Sequence, residues 1–91
     1  MFDEIEVNPR IANRHPEISI ADVKSAWINA FGIVERRGAP LPDAILVAIG
    51  ADENSRLIEM VGVVKPNGVI HIFHAMAPPS KKTLDELRSF L

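Results

Sequence analysis

After Ile20 the apolar residues Val23, Ala26, Trp27, Ala30 and Phe31 recur at spacings of three and four, which puts them on one face of a helix. Ser19 stands before this run and Asp22 lies three residues on, so the two read as a capping box with a shorter acid. The predicted helix runs to about Phe31 and stops at Gly32, with Trp27 and Phe31 as core anchors. Upstream, Ile5, Val7 and Ile11 stand among charges. Pro9 prevents one continuous helix over Phe2–Arg14, so a strand or irregular start and a short helical turn are predicted there.

Downstream the period changes toward that of strands. Ile33–Arg37 reads as a short edge strand blunted by charge, and Gly38–Asp43 as a loop. Ala44–Gly50 is almost wholly apolar, as an interior strand is, and the polar turn Ala51–Ser55 separates it from a strand over Arg56–Val64. In Lys65-Pro66-Asn67-Gly68-Val69, proline presets the first turn residue and glycine can take the left-handed conformation, giving a type I turn with a bulge.

That turn sets Lys65 opposite Val69, Val64 opposite Ile70, Gly62 opposite Ile72 and Met60 opposite His74. One face then collects Ile58, Met60, Val64, Ile70 and Ile72 beneath the helices, with His74 at its end. The other collects Leu57, Glu59, Val61, Val63, His71 and Phe73. A two-residue Asn67-Gly68 turn would instead set Glu59 diagonal to His74 as a candidate acid/base pair, within about 7–8 Å. The bulged register is preferred, because Pro66 has no N–H for the alternative and a one-residue slip scrambles the apolar face.

Ala77-Pro78-Pro79 ends the last strand, Ser80 caps a closing helix with Thr83–Leu91 as its body, and Leu84, Leu87 and Leu91 form its buried stripe. The expected fold is therefore α+β: an antiparallel meander sheet of three to four strands flanked by N-terminal helical segments and a C-terminal helix. With 91 residues, a single domain over 1–91 is expected.

Composition narrows the chemistry. With 47% hydrophobic and 24% charged residues the chain is globular rather than disordered. It has no cysteine, which excludes disulfides, thiolate metal sites and a cysteine nucleophile, and suits a reducing cytoplasm. No apolar stretch approaches a membrane span, and the acidic start Met1-Phe2-Asp3-Glu4 is unlike a signal peptide, so a cytoplasmic protein without membrane contact is expected. A net charge of -2 argues against a strongly basic nucleic-acid binder, although Arg10, Arg14 and His15, then Arg36 and Arg37, then Lys81, Lys82 and Arg88 make local basic clusters.

The order of elements, together with Asn13-Arg14-His15-Pro16-Glu17-Ile18-Ser19 ahead of the first long helix, resembles the BrnT-like toxins of the RelE ribonuclease superfamily. Their motif reads roughly Asn-x-x-Lys/Arg-His-Gly-Val-Ser. Leu46-Val47-Ala48-Ile49-Gly50 is similar to a family strand Phe-Val-x-Ile-Gly, Arg56-Leu57 to an Arg-Leu strand start, and Ile72-Phe73-His74-Ala75-Met76 to a last strand ending Ile-Ile-Ser-Ala-Arg. The resemblance implies an endoribonuclease acting on messenger RNA, free or on the ribosome, and assembled with a cognate antitoxin protein that blocks its active face. His74 stands where the family has serine and Met76 where it has arginine. The Arg-rich opening of the family's last helix is reduced here to Lys81 and Lys82.

Metal-independent RNA cleavage needs a base for the 2′-hydroxyl, an acid for the leaving 5′-oxygen and a cation at the phosphorane. The acid/base role falls to His74, with Arg14 or Lys81 stabilising the phosphate and His15 as a second acid/base; the further RNA phosphate-binding candidates are Lys82 and, as the resemblance implies, Arg56. This requires residue 74 and the cations at 14 and 81 to share one pocket. No cofactor and no metal are expected, because His71 and His74, three apart on a strand, should point to opposite faces. The competing expectation is a non-catalytic protein-interaction domain on the same scaffold, docking a partner through an exposed face around Val61, Val63 and Phe73. No glycine-rich phosphate loop or nucleophile elbow favours a small-molecule enzyme.

Overall fold

The turn at Lys65–Val69 folds as its residues dictate. Lys65 N–H donates to the Val69 carbonyl at 2.8 Å, Gly68 N–H donates to the Lys65 carbonyl at 2.9 Å, and Gly68 takes a φ of +86°, which glycine adopts without a side-chain clash. The computed structural model describes residues 4–36 and 44–90. The predicted loop Gly38–Asp43, along with Phe2, Arg37 and Leu91, lies outside them.

Among the described residues five strands and three helices form in the order β1 (Ile5–Val7), α1 (Arg10–Arg14), α2 (Ile20–Ile28), β2 (Ala30–Glu35), β3 (Ile45–Ala51), β4 (Leu57–Val64), β5 (Ile70–Met76) and α3 (Lys81–Glu86), then a 3-10 turn at Arg88–Phe90. The fold is α+β. Its sheet, ordered β1-β5-β4-β3-β2, corrects the expected antiparallel meander of three to four strands. Strands β2 to β5 pair antiparallel in sequence order, but β1 adds a fifth strand parallel to β5, with Ile5 opposite Ile70 and Val7 opposite Ile72. A three-residue strand carries too little alternation to be seen as one, and only its pairing defines it.

Ser19 and Asp22 form the predicted capping box: Asp22 N–H donates to Ser19 Oγ at 3.0 Å, and Ser19 N–H to Asp22 Oδ2 at 2.9 Å. The helix they open ends at Ile28, three residues short of the expectation. From Ala30 the chain pairs with β3 instead, as the outer strand on that side of the sheet. Trp27 is buried as anticipated, but Phe31 sits at an irregularity between Ala30 and Gly32 and is 51% exposed rather than in the core.

Apolar residues fill both faces of the sheet, which explains why Ala44–Gly50 is apolar without alternation. On one face Val7, Ile11, Ile18, Val23, Ala26 and Trp27 pack against Ala48, Ile58, Met60, Ile70, Ile72 and Ala75. Burying each of the larger aliphatic side chains stabilises the fold by about 1.5–3 kcal/mol. Helix α2 approaches so closely that a Cβ on Gly50 would lie 1.8 Å from the Ala26 carbonyl oxygen. On the other face Leu87, just beyond α3, packs with Ile45, Val47, Ile49 and Val61.

This second cluster corrects the expectation of an exposed face around Val61, Val63 and Phe73. Val61 is buried and Val63 half-buried; only Phe73 remains exposed. The C-terminal segment reaches its place through Ser80, whose hydroxyl caps α3 at Thr83 N–H, and through Arg36, whose guanidinium grips Glu86 with two hydrogen bonds of 2.8 and 3.0 Å. Thr83 and Leu87 are the buried residues there, while Leu84 of the predicted stripe is 36% exposed.

Candidate functional site

Strands β4 and β5 follow the predicted register only as far as Gly62 opposite Ile72. Between Gly62 and Val61 the ladder shifts by one, so Val61 faces His74 and Met60 faces Ala75. Phe73 is the extra residue of a β-bulge. Beyond it every side chain of β5 changes face, and His74 leaves the helix-covered side for that of Glu59 and Val61. The expected Met60–His74 pairing is thus corrected, as is the opposite facing of His71 and His74: His71 faces Val63, and His74 faces Val61, two residues of one face.

The shift joins His74 to Glu59. His74 Nε2 lies 2.7 Å from Glu59 Oε2, and Ser80 N–H donates to Glu59 Oε1 at 2.7 Å. Glu59 is only 4% exposed. Burial by itself would push its carboxyl up, but the hydrogen bonds from Ser80, His74 and Thr83 together outweigh it and hold the group below the usual glutamate value. An ionised carboxylate can only accept, so Nε2 carries the proton of this contact. In the neutral ring Nδ1 is then the acceptor, and it bonds to none of the described residues.

Beyond the short β1, the edge of β5 faces α1 across an open groove of about 300 Å³. Arg10, Arg14 and His15 line it on the helix side, Phe73 and His74 on the strand side, and Asn8 at the join. Asn8 positions the helix: its N–H donates to the Ile72 carbonyl at 2.9 Å, ending the β1–β5 ladder, and its Oδ1 accepts from Arg10 N–H at 2.9 Å. Arg10 and Arg14, four apart on α1, share a helix side. Ile11, buried between them, fixes that side against the core. His15 closes the helix by donating its N–H to the Ile11 carbonyl at 2.8 Å.

Three of the residues singled out from the sequence, Arg14, His15 and His74, therefore line one groove. The other three do not. Lys81 and Lys82 are exposed on the first turn of α3. Arg56 is engaged elsewhere, by Asp52 at 2.9 Å, Asp22 at 3.2 Å and the Glu17 carbonyl at 2.9 Å, so it ties the β3–β4 turn to the cap of α2. Asp52 in that turn is held below its usual value chiefly by the Arg56 N–H, against a smaller opposing effect of burial. His71 pairs with Glu6 of β1, which also accepts from Lys65 at 3.0 Å.

Sequence reasoning passed over Arg10, Asn8 and Phe73 as members of this site, and it set the Glu59–His74 pair aside together with the alternative turn register, whereas the two side chains do meet. The four-residue spacing of Arg10 and Arg14 was the available signal for one of them. Among the described residues no group of three or more His, Asp or Glu is placed to hold a metal ion, and no helix is long and apolar enough to cross a membrane. No family model, curated protein or solved structure matches this chain.

Proposed function

We propose that the chain is a metal-independent endoribonuclease, the toxin of a toxin-antitoxin pair, working in the cytoplasm with the groove between α1 and β5 as its active site. The observation that carries this reading is the meeting of two guanidiniums and two imidazoles in one open groove, with a buried carboxylate behind one imidazole. The mixed sheet departs from the meander that the BrnT-like resemblance implies, so the proposal stands on the groove and not on the fold.

In this mechanism His74 Nδ1 takes the proton of the 2′-hydroxyl, and the 2′-oxygen attacks the adjacent phosphorus. Arg10 and Arg14 stabilise the charge on the phosphorane oxygens, as fixed cations do where negative charge develops. His15, protonated, gives its proton to the departing 5′-oxygen. The P–O5′ bond breaks, leaving a 2′,3′-cyclic phosphate and a 5′-hydroxyl. Histidine suits both proton transfers because it exchanges a proton near neutral pH. Lys81 and Lys82 would meet RNA outside the groove, and a cognate antitoxin would act by covering the groove itself.

Purified protein incubated with RNA and a chelator is expected to produce fragments ending in 2′,3′-cyclic phosphate, and its induced expression to arrest growth. His74→Ala should slow cleavage by about 10²–10⁴-fold, the usual share of general acid–base catalysis. Undiminished cleavage by that variant would remove His74 from the mechanism. Intact RNA and unchanged growth with the native chain would favour the non-catalytic interaction domain.

A further inference from the structure

Among the described residues Phe73 is the one large aromatic residue of the groove, 42% exposed and flanked in sequence by His74, with Arg10 and Arg14 on the facing side. Single exposed apolar residues are ordinary on protein surfaces and by themselves carry no meaning. Phe73 differs in how it comes to be there. It is the inserted residue of a bulge that interrupts an otherwise regular β4–β5 ladder, and bulges re-aim side chains at the cost of pairing. Without the insertion, residue 73 would sit in register on one face of the sheet and His74 on the other. With it, an aromatic residue and the candidate acid/base residue line the same groove.

An aromatic residue beside paired cations is the combination that holds unpaired nucleotides, since the cations take the phosphate and the aromatic face takes any base. In a duplex the base faces are hidden in the stack. The groove, at about 300 Å³, lies at the small end of the range of pockets that enclose small molecules, about 300–1,000 Å³. It has room for one nucleotide unit and none for a helix.

We propose that Phe73 is a base-stacking platform and that the groove accepts a single unpaired nucleotide of single-stranded RNA. The inference rests on the ribonuclease reading and adds to it the substrate class and a binding residue. The stacked base is the neighbour of the phosphate at Arg10 and Arg14, so base and phosphate together place the 2′-hydroxyl at His74.

The test is binding of a short single-stranded RNA, 2′-O-methylated throughout to prevent cleavage and followed by fluorescence anisotropy. Phe73→Ala is expected to weaken binding by about 5- to 150-fold, the span of a lost base–aromatic stack. Phe73→Trp should restore it, and Phe73→Leu, which keeps apolar bulk without a π-face, should not. The same strand made abasic should bind the native chain as weakly as the intact strand binds Phe73→Ala, and duplex RNA should bind poorly throughout. Equal affinity of native protein and Phe73→Ala for the intact strand would overturn the stack while leaving the ribonuclease reading in place, as would equal affinity for duplex. Failure of the native chain to bind any RNA would bring down both.

Discussion

Glu59 Oε2 and His74 Nε2 lie 2.7 Å apart although the hairpin that joins their strands has the register that should separate them. The inserted Phe73 reconciles the two. Among the partners that depend on Glu59 are the imidazole of His74 and the N–H of Ser80 at the entry to α3. Removing its charge disturbs both at once.

Because the Glu59 carboxyl is held below its ordinary value of 4.5, the unfolded chain binds the more protons as pH falls through this range, and stability falls with it. The contribution is complete above the ordinary value and lost as pH drops through the lowered one. Glu59→Gln should cost about 1–3 kcal/mol at neutral pH, the scale of hydrogen bonds to a buried charge. Denaturant titrations should show the gap between variant and native protein closing as pH falls below the ordinary glutamate value. A gap that stays constant across the acid range would mean that the carboxylate's charge contributes nothing.

Arg10 and Arg14 are cast as phosphate ligands, so replacing either with alanine should weaken RNA binding similarly for all sequences. Each loss should also flatten the dependence of log affinity on log salt by about 0.7, the value per phosphate for single strands. Both residues are exposed, and thermal stability should stay within about 0.5 kcal/mol of native. An unchanged salt slope in the double variant would place the RNA elsewhere.

Gly50→Ala is expected to be among the most damaging single substitutions in the chain. The added methyl would collide with the Ala26 carbonyl, and a backbone atom cannot swing aside as a side chain does. A cost of about 1–3 kcal/mol or more is predicted, read as a shift of the urea midpoint. Native stability in this variant would mean that α2 can ride further from the sheet.

The capping box at Ser19 and the turn around Gly68 were legible because each is specified by residues within a few positions of one another. The apolar run of β3 was legible for the same reason. What escaped was decided across strands. Nothing local in Ile72-Phe73-His74 marks a bulge, since no glycine supplies a left-handed residue there, and the slip follows from how β5 packs against β4. Likewise Ile5-Glu6-Val7 becomes a strand only through Ile70 and Ile72, and Phe31 lies outside the helix because its neighbours Ala30 and Gly32 pair with β3. Of the site, His74 could be named from residue type and position, and Arg14 and His15 through the motif resemblance. The meeting of His74 with Glu59 was legible only through a different turn and was set aside with it, because the one-residue offset that produces it lies within the strands.

The helix that carries both groove guanidiniums hangs from the shortest strand, at the outer margin of the sheet. Strand β1 is paired along one flank, over three residue pairs, while β3, β4 and β5 are each paired along both flanks. Such margins open at a smaller free-energy cost than the interior. The two walls of the cleft are therefore expected to differ in permanence: the strand wall, with His74, lasts as long as the protein stays folded, whereas the helix wall, with Arg10, Arg14 and His15, is the one expected to open first, and on the proposed reading that would give RNA a way in and its fragments a way out.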